Sequence, residues 1–163
     1  MEFKLYERKF KLVDYDLYSF YKTGGSKTEK WYQIKLSLDK STGYKVFAFK
    51  IEGKQINFKY HRVVYYAHNN DWDFYDSSKD NIIDHIDGVK TNNHISNLRN
   101  VTNQENSFNT RARGCSFDKA RGKYKAQITL NKKNIHIGRY DTEQEAHQAY
   151  LAKKAELHII QAR

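Results

Sequence analysis

The sequence of 163 residues contains no proline and a single cysteine, Cys115. One cysteine excludes an internal disulfide framework and a cysteine-rich zinc site. No segment approaches the roughly 18 to 20 apolar residues that a membrane-spanning helix needs, and the N-terminus, charged from Glu2 onward, shows no secretory signal. We therefore expect an intracellular protein without a membrane segment.

Acidic residues are in the minority. There are 19 Asp and Glu against 29 Lys and Arg, which gives a formal net charge of +10. Residues 111–163 hold 12 Lys and Arg against five Asp and Glu, whereas residues 1–110 hold 17 against 14. Aromatic residues make up 15%, which argues against a disordered basic tail. A folded basic protein favours a polyanionic partner, and we expect the last third to bind it most tightly.

The first 60 residues favour antiparallel strands. Apolar and polar residues alternate over 31–38 and 44–51, which is typical of half-buried strands. We expect turns at Gly24-Gly25, at 41–43 and at 52–54, where glycine and polar residues interrupt the alternation. This pattern predicts a β-rich N-terminal region.

Residues 61–110 predict a helix, a strand, a loop and a second helix. The alternation disappears over 61–68, which indicates a short helix, and a brief strand over 81–86 ends at Asp87-Gly88, a strong turn pair. The spacing of Thr102 and Glu105 allows a capping box at the start of the second helix.

The last third predicts a small sheet crossed by one helix. Residues 124–130 alternate between apolar and basic or polar side chains, so the strand has one packed face and one wet face. A turn over 131–134 leads to a partner strand over 135–137, with both isoleucines expected on the packed side. A second possible capping box, formed by Thr142 and Glu145, begins the helix.

Residues 84–106 contain the parts needed to hydrolyse a phosphodiester. Asp84 is a hard oxygen ligand suited to a divalent ion such as Mg²⁺. His85 can take a proton from water near neutral pH. Asn106, in the following helix, can supply a second oxygen ligand to the same ion. Asp84 and His85 reach one site only if the strand ends or bends there, because adjacent strand residues point to opposite faces.

Three segments carry a resemblance to a known family. DHIDG (84–88), NNHISNLR (92–99) and VTNQEN (101–106) together resemble the His-Asn-His (HNH) endonucleases of the phage homing type. The resemblance implies a ββα site around one divalent ion, Mg²⁺ or alternatively Mn²⁺. It also implies that His85 is the general base, that Asp84 and Asn106 are the metal ligands, and that Asn97 pins the loop and helps orient the base.

Other residues near this motif are open to more than one interpretation. Arg99 and His94 are each candidates to contact the scissile phosphate, but Arg99 is equally suited to anchoring the loop. His61 is expected to be structural, since no spaced acidic or cysteine partner accompanies it. Clusters of Asp, Asn and Gly also occur in loops simply because these residues favour turn conformations.

Residues 113–157 resemble the DNA-binding domains of the Apetala-two or ethylene-response-factor type, through GKYKAQI (122–128), IGRYDT (137–142) and the helix after them. This resemblance implies a three-stranded sheet, backed by one helix, that lies in the major groove. Lysine and arginine would attract phosphates, and Gln127 can read base edges. A solvated strand face is the alternative. The candidate DNA-binding residues here are Arg113, Arg121, Lys123, Lys125, Gln127, Lys133 and His136, and Arg99 joins them from the motif above.

The sequence therefore predicts an α+β protein in three segments. These are a β-rich region (1–58), an HNH nuclease core (59–112) and a small three-stranded sheet with one helix (113–163). We expect a metal-dependent, site-specific endonuclease of homing type that acts on double-stranded DNA, nicks one strand as a monomer, and works in a bacterial or phage-infected cell without an evident protein partner. The alternatives are a DNA-binding regulator whose HNH segment no longer cuts, and an RNA-binding module.

Overall fold

A computed structural model describes residues 1–22, 24 and 28–160. Their fold is α+β, with antiparallel sheets and few helices, and the chain divides into two compact units, Met1–Asn100 and Val101–Arg163. The division into segments 1–58, 59–112 and 113–163 stays a prediction. Gly25, in the expected Gly24-Gly25 turn, lies outside the described residues. Within the described part of the chain, no helix has both the length and the apolar character to cross a membrane.

The first unit begins with two antiparallel sheets. The four-stranded sheet contains β1 (Glu2–Leu5), β2 (Arg8–Val13), β3 (Asp16–Tyr21) and β4 (Lys30–Gln33), in that spatial order. The three-stranded sheet contains β5 (Ser37–Leu38), β6 (Lys45–Ile51) and β7 (Lys54–Lys59). The strand expected over 31–38 is therefore two strands, because the chain leaves β3 after Gln33 and pairs with β6 from Ser37.

The rest of the first unit carries the candidate motif. It contains α1 (Tyr60–His68), β8 (Ile82–His85), a short 3₁₀ turn (Ile95–Asn97) and β9 (Leu98–Val101), which pairs with β8. The helix expected over 61–68 is confirmed and begins one residue earlier. Half of the buried core residues are aromatic, and the rings of Phe49 and Phe58 stack with centroids 4.5 Å apart. Burial of such rings is the main stabilising contribution here.

The second unit is a helix followed by a sheet backed by another helix. Its elements are α2 (Asn103–Phe108), β10 (Cys115–Asp118), β11 (Lys123–Leu130), β12 (Lys133–Tyr140) and α3 (Glu143–Leu157). Both expected capping boxes are confirmed, at Thr102 with Glu105 and at Thr142 with Glu145. A capping box satisfies backbone donors that a helix start otherwise leaves unpaired. These contacts explain where both helices begin.

The sheet of the second unit packs one face against α3. Ala126 and Ile128 of β11 are buried on this face, and Ala146 and Tyr150 of the helix are buried as well. Gly114 adopts a φ of +65°, and a Cβ there would lie 1.9 Å from the Tyr150 ring. Only glycine fits both the conformation and the space.

The two strands of this hairpin differ from the expected register at one point. A bulge between Ala126 and Gln127 pairs these residues with Gly138 and His136, so Ile137 is the extra residue. Ile135 and Ile137 are nevertheless both half-buried, with the exposed His136 between them, as expected for two isoleucines on the packed side. Bulges increase twist and re-aim side chains.

Candidate functional site

The end of β8 places Asp84 and His85 side by side in a buried position. Their exposed fractions are 7% and 3%. The strand stops here because the backbone N–H of Gly88 donates to the carbonyl of His85 at 2.9 Å, closing a turn in which Gly88 has a φ of +72°. The turn predicted at Asp87-Gly88 is confirmed. A strand end of this kind is what lets neighbouring side chains serve one site.

His85 is held by an asparagine that the sequence analysis did not single out. Nε2 of His85 donates to Oδ1 of Asn93 at 2.9 Å, and Asn93 is itself buried. The direction follows because a carbonyl oxygen can only accept a hydrogen bond. In the neutral ring this tautomer leaves the lone pair on Nδ1, the form that can accept a proton from water. The Asn92-Asn93 doublet is the feature of the sequence that could have indicated this hydrogen bond.

Two further rings enclose His85. The ring centroid of His61, on α1, lies 5.0 Å from that of His85, and the Tyr44 ring lies 4.7 Å from His61 and 5.9 Å from His85. Burial lowers the pKa of His61 to about 3, with a smaller contribution from the charge of His85. Burial and then the charge of Asp84 raise the pKa of Tyr44. The imidazole of His61 is therefore neutral and lines one side of the site. Tyr44 lies close to both Asp84 and His85.

Asp84 forms an ion pair with Arg99 across the β8–β9 pair. Nε and Nη2 of Arg99 donate to Oδ2 of Asp84 at 3.0 and 2.8 Å. Both side chains are largely shielded from solvent, with exposed fractions of 8% for Asp84 and 21% for Arg99. The sequence left two roles open for Arg99, a contact to the scissile phosphate or an anchor for the loop. In the structure Arg99 acts as an anchor, but it holds the Asp84 carboxylate rather than the loop.

Asn97 holds the loop that connects β8 to β9. Its Nδ2 donates to Oδ1 of Asp87 at 2.9 Å and to the carbonyl of Asn92 at 2.8 Å, and its Oδ1 accepts from the backbone N–H of Asp87 at 3.0 Å. Hydrogen bonds from Asn92, Val89 and Asn97 lower the pKa of Asp87. Asn97 therefore forms hydrogen bonds within the loop, whereas Asn93 forms the hydrogen bond to the imidazole of His85.

The expected metal ligands are a carboxylate, Asp84, and a side-chain amide, Asn106. No group of three or more His, Cys, Asp or Glu side chains that could hold a metal occurs among the described residues. Mg²⁺ is nevertheless bound through few protein oxygens, since it keeps several of its own waters. An oxygen-only pair fits a hydrated ion of this type better than zinc, which prefers nitrogen and sulfur ligands. Asn106 belongs to α2, in the second unit.

The second unit carries the predicted basic face on the side of its sheet opposite α3. Strand register puts Lys125 beside Arg139, and Gln127 beside His136. Oδ2 of Asp118 accepts from Arg121 and from Arg139, both at 3.3 Å. Arg139 was absent from the predicted set, although it lies on the same face as Lys125.

Other members of the predicted set lie at the first residue of a strand or just before one. Nζ of Lys123 lies 3.0 Å from Asp141, and Arg113 lies 3.2 Å from Glu143. Lys133, at the start of β12, is exposed. These ion pairs are open to solvent and contribute little to stability, so a phosphate can replace the acidic partner at small cost.

Comparison with protein families matches residues 58–108 to the HNH endonuclease model. The matched segment contains α1, β8, β9 and α2, and with them His61, Asp84, His85, Asn93, Asn97, Arg99 and Asn106, whereas Tyr44 lies outside it. It covers less than half of the chain. Comparisons with curated proteins and with solved structures found no match. An HNH endonuclease domain is thus indicated within residues 58–108, which supports a nuclease.

Proposed function

We propose that this protein is a metal-dependent, site-specific DNA endonuclease of homing type, which hydrolyses phosphodiester bonds and nicks one strand as a monomer. The observation that carries the proposal is the buried hydrogen bond from Nε2 of His85 to Asn93, next to the carboxylate of Asp84, inside the segment that matches the HNH endonuclease model. A histidine that a second side chain orients is the usual arrangement of a general base.

In this proposal His85 is the general base. Asn93 accepts the hydrogen bond from Nε2, so Nδ1 is the basic nitrogen of the neutral ring. A water gives its proton to Nδ1 as its oxygen attacks the phosphorus, and the bond from the phosphorus to the 3′ oxygen breaks. Asn97 keeps the loop closed through Asp87 and the carbonyl of Asn92. His61 stays neutral at physiological pH, because burial lowers its pKa to about 3, so it adds no competing positive charge beside the base.

Asp84 and Asn106 would hold the divalent ion, Mg²⁺ or Mn²⁺. Such an ion supplies Lewis-acid stabilisation of the charge that develops on the phosphate and the leaving oxygen. Arg99 fixes the orientation of the Asp84 carboxylate through two donated hydrogen bonds to one oxygen. The second unit would bind the duplex through Lys125, Gln127, His136 and the basic residues around them.

A second function is favoured by one observation. The basic residues of the sheet in the second unit do not depend on the HNH segment, so they would bind a duplex whether or not that segment cuts it. The alternative is therefore a sequence-specific DNA-binding regulator.

The two functions differ in one assay. We expect the purified protein to nick supercoiled DNA from candidate host and phage sources with Mg²⁺ or Mn²⁺ and not with EDTA. We expect His85→Ala to lose nicking while its affinity for the same DNA stays within about twofold, since the base acts on water. His147→Ala, a histidine of α3 outside the site, is the matched control and should cut normally. Binding without nicking in every metal would favour the regulator.

A further inference from the structure

The four-stranded sheet of the first unit has one face that does not belong to the core. Strand register aligns Lys9 with Phe20 and Phe20 with Trp31 in one row, and Lys11 with Tyr18 in the next row. We call these five residues the aromatic-lysine face. The intervening residues, including Phe10 and Leu17, point the other way and are buried. The three rings are only half-buried, although rings of this size are normally packed inside.

The cations of this face lie directly over its rings. Nζ of Lys11 is 4.8 Å from the Trp31 ring centroid and 5.1 Å from that of Tyr18, and Nζ of Lys9 is 5.7 Å from that of Phe20. The rings of Phe20 and Trp31 are neighbours, with centroids 5.0 Å apart. Each lysine therefore covers a π-face with an ammonium group that a flexible chain can move aside.

Half-exposed rings beside lysines match the chemistry of a single nucleic acid strand. Bases of any sequence stack on aromatic rings, and ammonium groups neutralise the phosphates between them. In a duplex the π-faces of the bases are covered by the neighbouring base pairs, so a row of rings gains nothing from intact double-stranded DNA. Readers of intact duplex instead use Arg, Lys, Asn and Gln on base edges. Among the paired residues of these two rows Glu2 is the only acidic one, while Glu7, Glu29 and Glu52 line the cavity that Phe20 borders.

We infer that the aromatic-lysine face binds single-stranded DNA, with bases stacked on Phe20 and Trp31 and with Lys9 and Lys11 moved from the rings to the phosphates. The positions of the rings and ammonium groups support base stacking whether or not the protein is a nuclease. The choice of DNA over RNA rests on the proposed function. This surface belongs to the four-stranded sheet of the first unit, and none of its five residues is part of the site at the end of β8.

Trp31 makes the inference directly measurable, because the protein has only two tryptophans. Trp72, the other one, is buried and donates its Nε1 hydrogen to Asn81. Full-length protein is titrated in EDTA with oligo-dT, with a duplex, and with an abasic strand of equal length and charge. We expect oligo-dT to quench the emission of Trp31, and the abasic strand and the duplex to quench it far less. With Trp31→Phe the remaining emission should not respond.

A pair of variants separates stacking from charge. Phe20→Leu combined with Trp31→Leu keeps apolar bulk and removes both π-faces, and it should weaken binding of labelled oligo-dT by about tenfold or more. Tyr75→Leu removes an exposed ring outside the sheet and is the matched control. Circular dichroism checks that each variant is folded, and the abasic comparison on the unaltered protein does not depend on any variant.

Several outcomes would overturn the inference. Equal quenching by the abasic strand would show that charge alone is responsible, and binding of the double variant within twofold of the unaltered protein would show that the rings do not stack. Tenfold tighter binding of oligo-rU than of oligo-dT would make RNA the occupant. EDTA removes cleavage from the assay, so a protein that cuts no DNA can still pass this test, and a working nuclease can still fail it.

Discussion

At the scale of single residues, two asparagines in one loop have different tasks. Asn97 makes three hydrogen bonds to the loop itself, whereas Asn93 makes one to the imidazole of His85. The Nδ2 of Asn93 is buried and has no hydrogen-bond partner among the residues that the structure describes. Since a buried unpaired donor costs stability, the value of an asparagine at this position lies in its oxygen, which fixes the tautomer of the base.

This asymmetry gives a prediction for Asn93. Asn93→Leu removes the acceptor, and we expect the single-turnover cleavage rate to fall by about 10- to 100-fold, a part of what a positioned base contributes. Asn93→Asp keeps the accepting oxygen and replaces an Nδ2 that is unpaired within the described part of the chain, so this variant should keep most of the activity of the unaltered protein. Cleavage kinetics on a nicked-circle assay, with thermal melting of each variant, measure both effects. Equal loss of activity in the two variants, at equal melting temperature, would contradict the positioning role.

His61 gives a prediction about acid stability. Burial lowers its pKa from the ordinary 6.5 to about 3, so as the pH falls the unfolded chain takes up the proton first. The stability that neutral His61 contributes is fully present above about pH 6.5 and is lost as the pH falls toward 3, by at most about 1.4 kcal/mol per pH unit.

His61→Asn removes this titration. Urea unfolding at pH 7, 5 and 4 should show that the free energy of unfolding falls less steeply with decreasing pH for the variant than for the unaltered protein. The difference should develop only below about pH 6.5. Carboxylates titrate in both proteins, so the difference between the two curves isolates His61. Parallel curves would mean that His61 is protonated in the folded state or accessible to water.

At the scale of elements, local signals in the sequence located most of the structure. The two Thr-x-x-Glu boxes fixed the starts of α2 and α3, because a capping box is complete within four residues. The alternation over 124–130 identified β11 and its buried face, since side chains in a strand alternate with a period of two. The Asp87-Gly88 pair marked the end of β8.

Features that depend on strand pairing could not be read in the same way. The break between β4 and β5 arises because each strand has a different partner, and Ile137 is extra only because of how β12 pairs with β11. The ion pair of Arg99 with Asp84 joins residues 15 positions apart on two strands. In the candidate site, the sequence named His85 and Asp84 but not the Asn93 contact, because a doublet of asparagines does not reveal which of them turns inward.

At the scale of the whole molecule, the excess charge belongs mainly to the second unit. This unit, Val101–Arg163, holds 12 Lys and Arg against six Asp and Glu, whereas residues 1–100 hold 17 against 13. Five of the six ion pairs among the described residues also lie in this unit, and they engage Arg113, Arg121, Lys123, Arg139 and Lys153. Such exposed pairs are weak and screened by salt. Much of the cationic surface is therefore available to phosphates at little cost.

The last prediction concerns this surface. Lys123 and Lys125 lie on the wet side of β11, and if each contacts one phosphate, removing both should lower the slope of log K against log salt by about 1.8, since each neutralised phosphate contributes roughly 0.9. Lys153→Ala is the matched control, because it removes a lysine from α3, which packs on the other side of the sheet. Duplex affinity is measured in EDTA between about 50 and 200 mM salt, the range over which phosphate contacts dominate the change. An unchanged slope in Lys123→Ala with Lys125→Ala, or an equal fall in the control, would place the duplex on a different surface and leave the site at the end of β8 without its proposed binding module.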